Sequence, residues 1–291
     1  MNIFARHAKI VVLCGVFAAG TSGVLGKLIE APSMIIGFCR LLITLPIFVI
    51  PVLLYHREEL KAVKKREFIW SVASGIFLFI HYMAWFTSVK ETAIASATVL
   101  MSLHPLFVAA MAYFVWKNKV SIKALMGVMI AIVGGIVVVG GNFTDGNSLY
   151  GDILAFISCV GMGIYFSIGS EIRNNISAAV YIMLVFGTCF ICFAITIVVT
   201  STPVLGYPPS DYLWILVMAI VCQLGAHAVF NWAMGYVSSL YVSAVDTGEI
   251  LVAAFLALII FGEIPTIWQI IGGVIVIAGL LYYNYHEGDK A

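Results

Sequence analysis

Stretches of about 20 mostly apolar residues, the length that crosses a bilayer as a helix, recur ten times along the chain. They run over 8–28, 32–54, 68–88, 93–116, 121–141, 150–170, 177–200, 211–234, 238–260 and 265–284. Short polar or helix-breaking segments separate them. Pro32 and Ser33 open the second stretch, and residues 142–147 (Asn-Phe-Thr-Asp-Gly-Asn) form a turn cluster. Pro203, Gly206, Pro208 and Pro209 mark the longest break in the second half. Pro265 falls at the expected start of a helix, where a missing N–H costs nothing. The stretches are too long for the strands of an outer-membrane barrel and do not alternate with period two. The pattern predicts an all-α integral membrane protein with ten transmembrane helices.

Composition agrees. Of the 291 residues, 63% are hydrophobic and 10% charged, against about 45–50% and about 25% in soluble domains. Residues 8–28 have basic flanks but no small-x-small cleavage site followed by a soluble domain, so they are expected to stay as a membrane helix. With the N-terminus placed in the cytoplasm, twelve of the fifteen Lys and Arg residues fall inside. Lys27 and Lys90 fall outside, and Arg40 lies within a span. This bias predicts cytoplasmic termini in a cell (inner or plasma) membrane. The net charge of +1 gives nucleic acid no basis for binding. The six Cys lie in apolar stretches and read as small buried hydrophobes.

Residues 97–139 slide onto 242–284 without a gap, at an offset of 145. Leu106 then meets Leu251, Ala112 meets Ala257, Gly127 meets Gly272 and Gly134 meets Gly279. The offset is half the chain and superposes the span boundaries. Residues 1–145 and 146–291 are therefore expected to be two five-helix halves. An odd number of spans makes the second half enter from the opposite side. The result is an inverted repeat, an architecture typical of secondary transporters with a substrate site near the midplane.

Several local features accompany this layout. Arg40 sits inside the second span. The third runs Gly75-Ile-Phe-Leu-Phe-Ile-His81-Tyr82-Met-Ala-Trp85-Phe86, and the fourth carries His104-Pro105 at its centre. The ninth ends at Phe261-Gly262-Glu263, and the tenth contains Gly272-Gly273 and Gly279. Together they resemble the drug/metabolite transporter superfamily in its ten-helix EamA-type branch, over nearly the whole chain. The first half departs in having Lys117-Asn118 where the second has Gly262-Glu263. The second half has Glu249-Ile250 where the first has His104-Pro105. The resemblance implies export or exchange of a small metabolite, often an amino acid or an organic cation.

The residues point the same way by their cost. An ionisable group in a bilayer costs about 2.5–3.5 kcal/mol on insertion scales, so each needs a partner or an aqueous cavity. The candidates are Arg40, His81, His104, His227, Asp246 and Glu249, with Gln223 and Asn231 sharing a face with His227. Two acids three residues apart on one mid-membrane face carry the strongest signal. Under the repeat, Glu249 is equivalent to His104. Arg40 sits near the start of its span, so it reads first as a structural tether or a group snorkelling to the outer face. His81 has a packing role as its competing reading, and His104 a role in the Pro105 kink. The aromatics Tyr82, Trp85, Phe86, Phe230 and Trp232 are expected either in packing and interfacial belts or against substrate. Counting outward from the break at 235–238 puts His227 level with Asp246 and Gln223 level with Glu249, which predicts that these residues pair across the eighth and ninth spans. The fifth and tenth spans carry no charge in their interiors, so they are expected to face lipid or a second copy, with a homodimer as the candidate assembly.

No His-Glu-x-x-His, Gly-x-Ser-x-Gly or Walker motif is present, and no cofactor or metal is expected. The expected function is a secondary transporter that moves a small amino-acid-like or cationic metabolite by alternating access. Asp246 and Glu249 would attract its ammonium group. Histidine changes charge near neutral pH, which makes protons the candidate coupling ion. A multidrug or organic-cation efflux carrier is the alternative. An intramembrane enzyme or receptor stands further off, because an acid pair on one helix is poorly disposed to divide acid and base roles across a bond.

Overall fold

A computed structural model describes residues 3–117, 121–145 and 148–287. Every element among them is helical. Eight helical segments are long and apolar enough to cross a membrane: His7–Leu28, Ser33–Tyr55, Lys65–Glu91, Ile94–Phe114, Leu149–Ile172, Ala178–Thr200, Pro209–Ala233 and Tyr241–Phe261. Two shorter apolar helices, Leu125–Gly141 and Ile267–Tyr283, occupy the places of the expected fifth and tenth spans. All ten are numbered below in chain order as spans one to ten. A short amphipathic helix, Arg57–Ala62, follows span two.

Two expected boundaries move. The helix carrying span five runs from Ile122 to Asp145, through the first four residues of the expected turn cluster. Pro265 lies in an extended linker, and the helix of span ten begins at Ile267. The predicted cytoplasmic residues Lys119 and Lys290 lie outside the described residues, as do Gly146 and Asn147.

Three spans are interrupted where the regular i→i−4 ladder fails. Span one bends at Thr21, whose hydroxyl donates to Ala18 O at 2.7 Å. Spans four and nine each break at mid-depth, as detailed below. Span eight stays helical but widens into a π-helix over Ala219–Ala228, a distortion that often marks functional sites.

Packing brings the two ends of the sequence together. Span three lies along span six, span one along span eight, and span two along span seven. Spans five and ten form the closest crossing. A Cβ on Gly134 would stand 2.7 Å from Gly272 O, and one on Gly279 would stand 2.6 Å from Ala131 N and 2.7 Å from Gly127 O. The two backbones touch there, the small-residue contact that lets membrane helices associate without a hydrophobic driving force. The expectation for these spans is thus corrected on one side. Their glycine faces meet each other within one chain, and only their outer faces remain free for lipid, with Ile270 and Val274 exposed.

A cleft of ≈ 590 Å³ opens sideways between spans four, five and six. Its walls, among them Leu103, Phe107, Ile136 and Phe156, are entirely apolar. It offers nothing to a charged solute and reads as surface covered by acyl chains.

Candidate functional site

The centre of the bundle is set by the breaks in spans four and nine. In span nine one helix ends at Asp246, Thr247 and Gly248 form a tightened turn, and a second helix starts at Glu249. The turn replaces i→i−4 bonds by shorter ones, Gly248 N to Val245 O at 3.0 Å and Ile250 N to Thr247 O at 3.2 Å. Thr247 supports it by donating its hydroxyl to Ala244 O at 2.7 Å. Asp246 and Glu249 therefore flank the break, one on each side.

Span four breaks at the same repeat position. One helix ends at Met101, and the next begins at His104 after Ser102 and Leu103. Pro105 has no N–H to give Met101 O, the acceptor a regular helix would assign it. His104 Nδ1 lies 3.2 Å from that carbonyl and takes the place of the missing donor. With Nδ1 donating, Nε2 is left as an acceptor. It faces Asp246 Oδ2 at 3.7 Å. Both side chains are fully buried, and neither Nε2 nor either Asp246 oxygen has a hydrogen-bond partner. Two acceptors face each other across a gap that one proton or one cationic group would fill.

Asp246 and Glu249 share a small central cavity with His81, Trp85, His227 and Phe230. Its volume is ≈ 20 Å³, room for about one water molecule. His81 is held by Ser158, its Nδ1 lying 2.8 Å from Oγ and 3.1 Å from the carbonyl. Trp85 Nε1 donates to Ser22 Oγ at 2.9 Å. His227 Nδ1 and Glu249 Oε1 are buried without partners.

A second layer stands behind. Tyr82 donates to Gln223 Oε1 at 2.9 Å, and Gln223 Nε2 has no partner. Asn231 donates to the Tyr165 hydroxyl and, at 2.7 Å, to His227 O. Arg40 lies over the Tyr82 ring at 4.4 Å and the Phe86 ring at 5.5 Å.

Two expectations change here. Arg40 does not snorkel: it is 1% exposed and stacked on aromatic faces. The predicted pairing of His227 with Asp246 and of Gln223 with Glu249 is not formed. Asp246 instead faces His104, and Gln223 is taken by Tyr82. Residues 219–228 form a π-helix, which shifts the faces a regular α-helix would present, and span four supplies the group opposite Asp246. Trp232 sits apart from the cavity against Tyr236. Sequence reasoning missed Ser22, Met101, Met162 and Cys222, which also line the cavity. No signal marks them, since they are small or apolar residues in apolar runs.

Polar clusters lie at both ends of the spans. At one end Lys27 Nζ pairs with Glu263 Oε1 at 2.5 Å, while Glu263 Oε2 accepts the Ile94 N–H at 3.0 Å. At the other, Arg173 Nε donates to Asn231 O at 3.0 Å, and Glu59 Oε1 accepts the Ser177 N–H at 2.6 Å. Burial works against the Glu59 charge, but the Ser177 bond and the neighbouring His56 outweigh it and hold the carboxyl below its usual range.

The comparisons with known proteins agree with one another. The EamA-like transporter family matches residues 7–140 and again 149–285. An "Uncharacterized transporter" of Archaeoglobus fulgidus is 24% identical over 215 residues, 71% of this chain and 72% of that protein. One of Clostridium kluyveri is 24% identical over 70% of this chain and 67% of its own length. A solved crystal structure superposes with a TM-score of 0.68 at 14% identity, covering 98% of this chain and 99% of the other. At that identity the likeness concerns the fold alone.

Proposed function

Because the chain belongs to the EamA-like transporter family, we propose that it is a secondary carrier exporting or exchanging an amino-acid-like or cationic metabolite by alternating access. The observation that carries this reading is the placement of Asp246 and Glu249. Both are buried at mid-membrane, on either side of a helix break, with carboxyl oxygens that no protein donor satisfies. Evolving such a pair inside a bilayer is costly unless something positive visits it. An ammonium group or a proton meets that requirement, and His104 opposite Asp246 offers a place for the proton between cargo cycles. Protons are accordingly the proposed coupling ion.

The halves 1–145 and 146–291 are proposed to rock about this site. The contacts are arranged as such a motion requires. The Gly127–Gly279 contact maps onto Gly272–Gly134 under the offset of 145, and the breaks at His104 and Glu249 coincide under the same offset. We take the central cavity of ≈ 20 Å³, too small for a metabolite, as an occluded state in that cycle. The proposed orientation places both termini and the loop 55–67 in the cytoplasm of a cell-membrane protein. Labelling of a cysteine at position 61 by an impermeant reagent outside intact cells would overturn that orientation. A homodimer is proposed to use only the outer faces of spans five and ten.

The decisive experiment is flux in proteoliposomes. A metabolite library is first screened by thermal shift, since a ligand that binds the native state raises its apparent stability. Hits are then followed as unchanged molecules crossing the bilayer, with and without a pH gradient. Movement of intact solute that accelerates with the gradient is expected. Appearance of a chemically altered product would point to an enzyme, and gradient-independent flux would remove the proton from the mechanism.

A further inference from the structure

Arg40 is the most anomalous residue in the molecule. Its side chain is among the largest that are fully buried, its Nε and Nη2 have no hydrogen-bond partner, and none of the ion pairs among the described residues includes it. A guanidinium cannot shed its charge in a protein. Removing one partner of a buried pair leaves a penalty of several kcal/mol, and here the protein supplies no partner. Stacking on Tyr82 and Phe86 offsets part of this, since aromatic faces attract cations. It leaves the hydrogen-bonding edge of the fork unanswered.

The neighbouring groups are unpartnered as well. Tyr82, under the guanidinium, hydrogen-bonds Gln223 Oε1, which leaves the two N–H groups of Gln223 Nε2 without an acceptor. The Tyr82 ring stands 5.2 Å from the ring of His227, whose Nδ1 is also unpartnered and which lines the central cavity. The protein has thus placed a fixed positive charge and a free amide donor, both buried, one aromatic layer from the cavity. Arg40 and Gln223 hold unpartnered donors, while Asp246 and Glu249 on span nine, and Asn231 Oδ1 on span eight, are unpartnered acceptors.

We propose that Arg40, with Gln223, is an anion subsite that takes a carboxylate carried by the transported molecule. The site is then bipolar: the cargo's carboxylate lies toward spans two and eight, and its positive group toward the break in span nine. Arginine suits this task because its planar fork presents paired donors to a carboxylate. The inference rests on the carrier reading above and narrows it. A plain organic cation would leave Arg40 unpaired, so the cargo bears both charges.

The test separates the subsite from transport. Purified protein in nanodiscs is titrated with formate, the minimal carboxylate, at constant ionic strength, and thermal stability is read. Chloride and leucinamide are run in parallel with leucine. The wild type is expected to show saturable stabilisation by formate and by leucine but not by leucinamide. In Arg40→Gln the affinity for both is expected to fall by about tenfold or more, as for loss of a charge-assisted contact. Arg40→Lys keeps the charge without the fork and is expected to retain part of the effect, which guards against a folding defect in the Gln variant. Glu249→Gln is expected to keep the formate titration while losing flux, so failure of the carrier reading leaves the anion result standing. Formate curves that do not saturate, or that are identical in wild type and Arg40→Gln, would overturn the subsite. So would saturation by chloride alone, or equal stabilisation by leucine and leucinamide.

Discussion

Spans four and nine are broken at the same place by different means, and the difference separates shape from charge. In span four the break follows from covalent chemistry: Pro105 withholds an N–H, and His104 fills the vacancy on Met101 O. In span nine nothing forbids a continuous helix. Gly248 has ordinary helical angles and the turn is held by Thr247 and short backbone bonds. Span four brings a neutral ring already committed to its own backbone. Span nine brings two carboxyls of which both Asp246 oxygens and Glu249 Oε1 have no hydrogen-bond partner. The two breaks thus differ in what they present: the one in span four is anchored by His104, and the one in span nine is flanked by the two acids.

The sharpest way to break that comparison is Glu249→Gln, which keeps size and removes charge. Normal expression is expected with flux reduced about ten- to hundredfold, the worth of a hydrogen bond to a charged group. Flux measured in proteoliposomes at wild-type rate, with unchanged pH dependence, would show that the charge in span nine is incidental.

The next largest effect concerns the coupling between the two breaks. His104 Nε2 and Asp246 Oδ2 are 3.7 Å apart and have no other partners. In a double-mutant cycle with His104→Ala and Asp246→Asn, a coupling of about 1 kcal/mol is expected in apparent affinity or stability. A parallel cycle with His227→Ala and Asp246→Asn is expected to be nearly additive, because those side chains are not paired. The reverse pattern would reinstate the simple hairpin of spans eight and nine.

The ten spans and the family were legible because hydropathy and repeat offset are properties of the linear chain. The candidate residues were legible for a related reason: charge in an apolar run stands out whatever it contacts. All ten singled out are buried. Their partners were not legible. The π-helix over Ala219–Ala228 has no Pro or charge to announce it, and it turns Gln223 toward Tyr82. The break at Gly248 has no Pro to announce it, and it is held by the Thr247 hydroxyl and short backbone bonds that appear only once the chain is folded. The burial of Arg40 was not legible either, because it depends on the aromatic rings that fold over it and not on its position along the span.

The two faces of span ten extend the contrast between what is fixed and what is free, with smaller effects. On the inner face, a Cβ at Gly279 would meet the backbone of span five at 2.6 Å, where no flexible side chain can yield. Gly279→Ala is therefore expected to cost about 1–3 kcal/mol, the range for overpacking, read as a lower unfolding temperature in detergent. A neutral result would mean that spans five and ten can move apart to admit the methyl group.

On the outer face the expected effect is the smallest of all. Ile270 and Val274 are exposed, 51% and 62%, on the outer face of span ten. Lipid tails are as apolar as the side chains they touch, so exchanging one aliphatic shape for another there changes neither transfer energy nor packing against protein. Ile270→Leu and Val274→Leu should leave flux, expression and unfolding temperature near wild type. The pair also bears on assembly, because a second copy docked on this face would bury the same residues in a shaped interface, where a changed branch point is felt. Unchanged flux together with unchanged migration on size exclusion fits a face in contact with lipid. Loss of flux in both variants at normal protein levels would place span ten at the cavity, and the sorting of charged central spans from uncharged peripheral ones would fail.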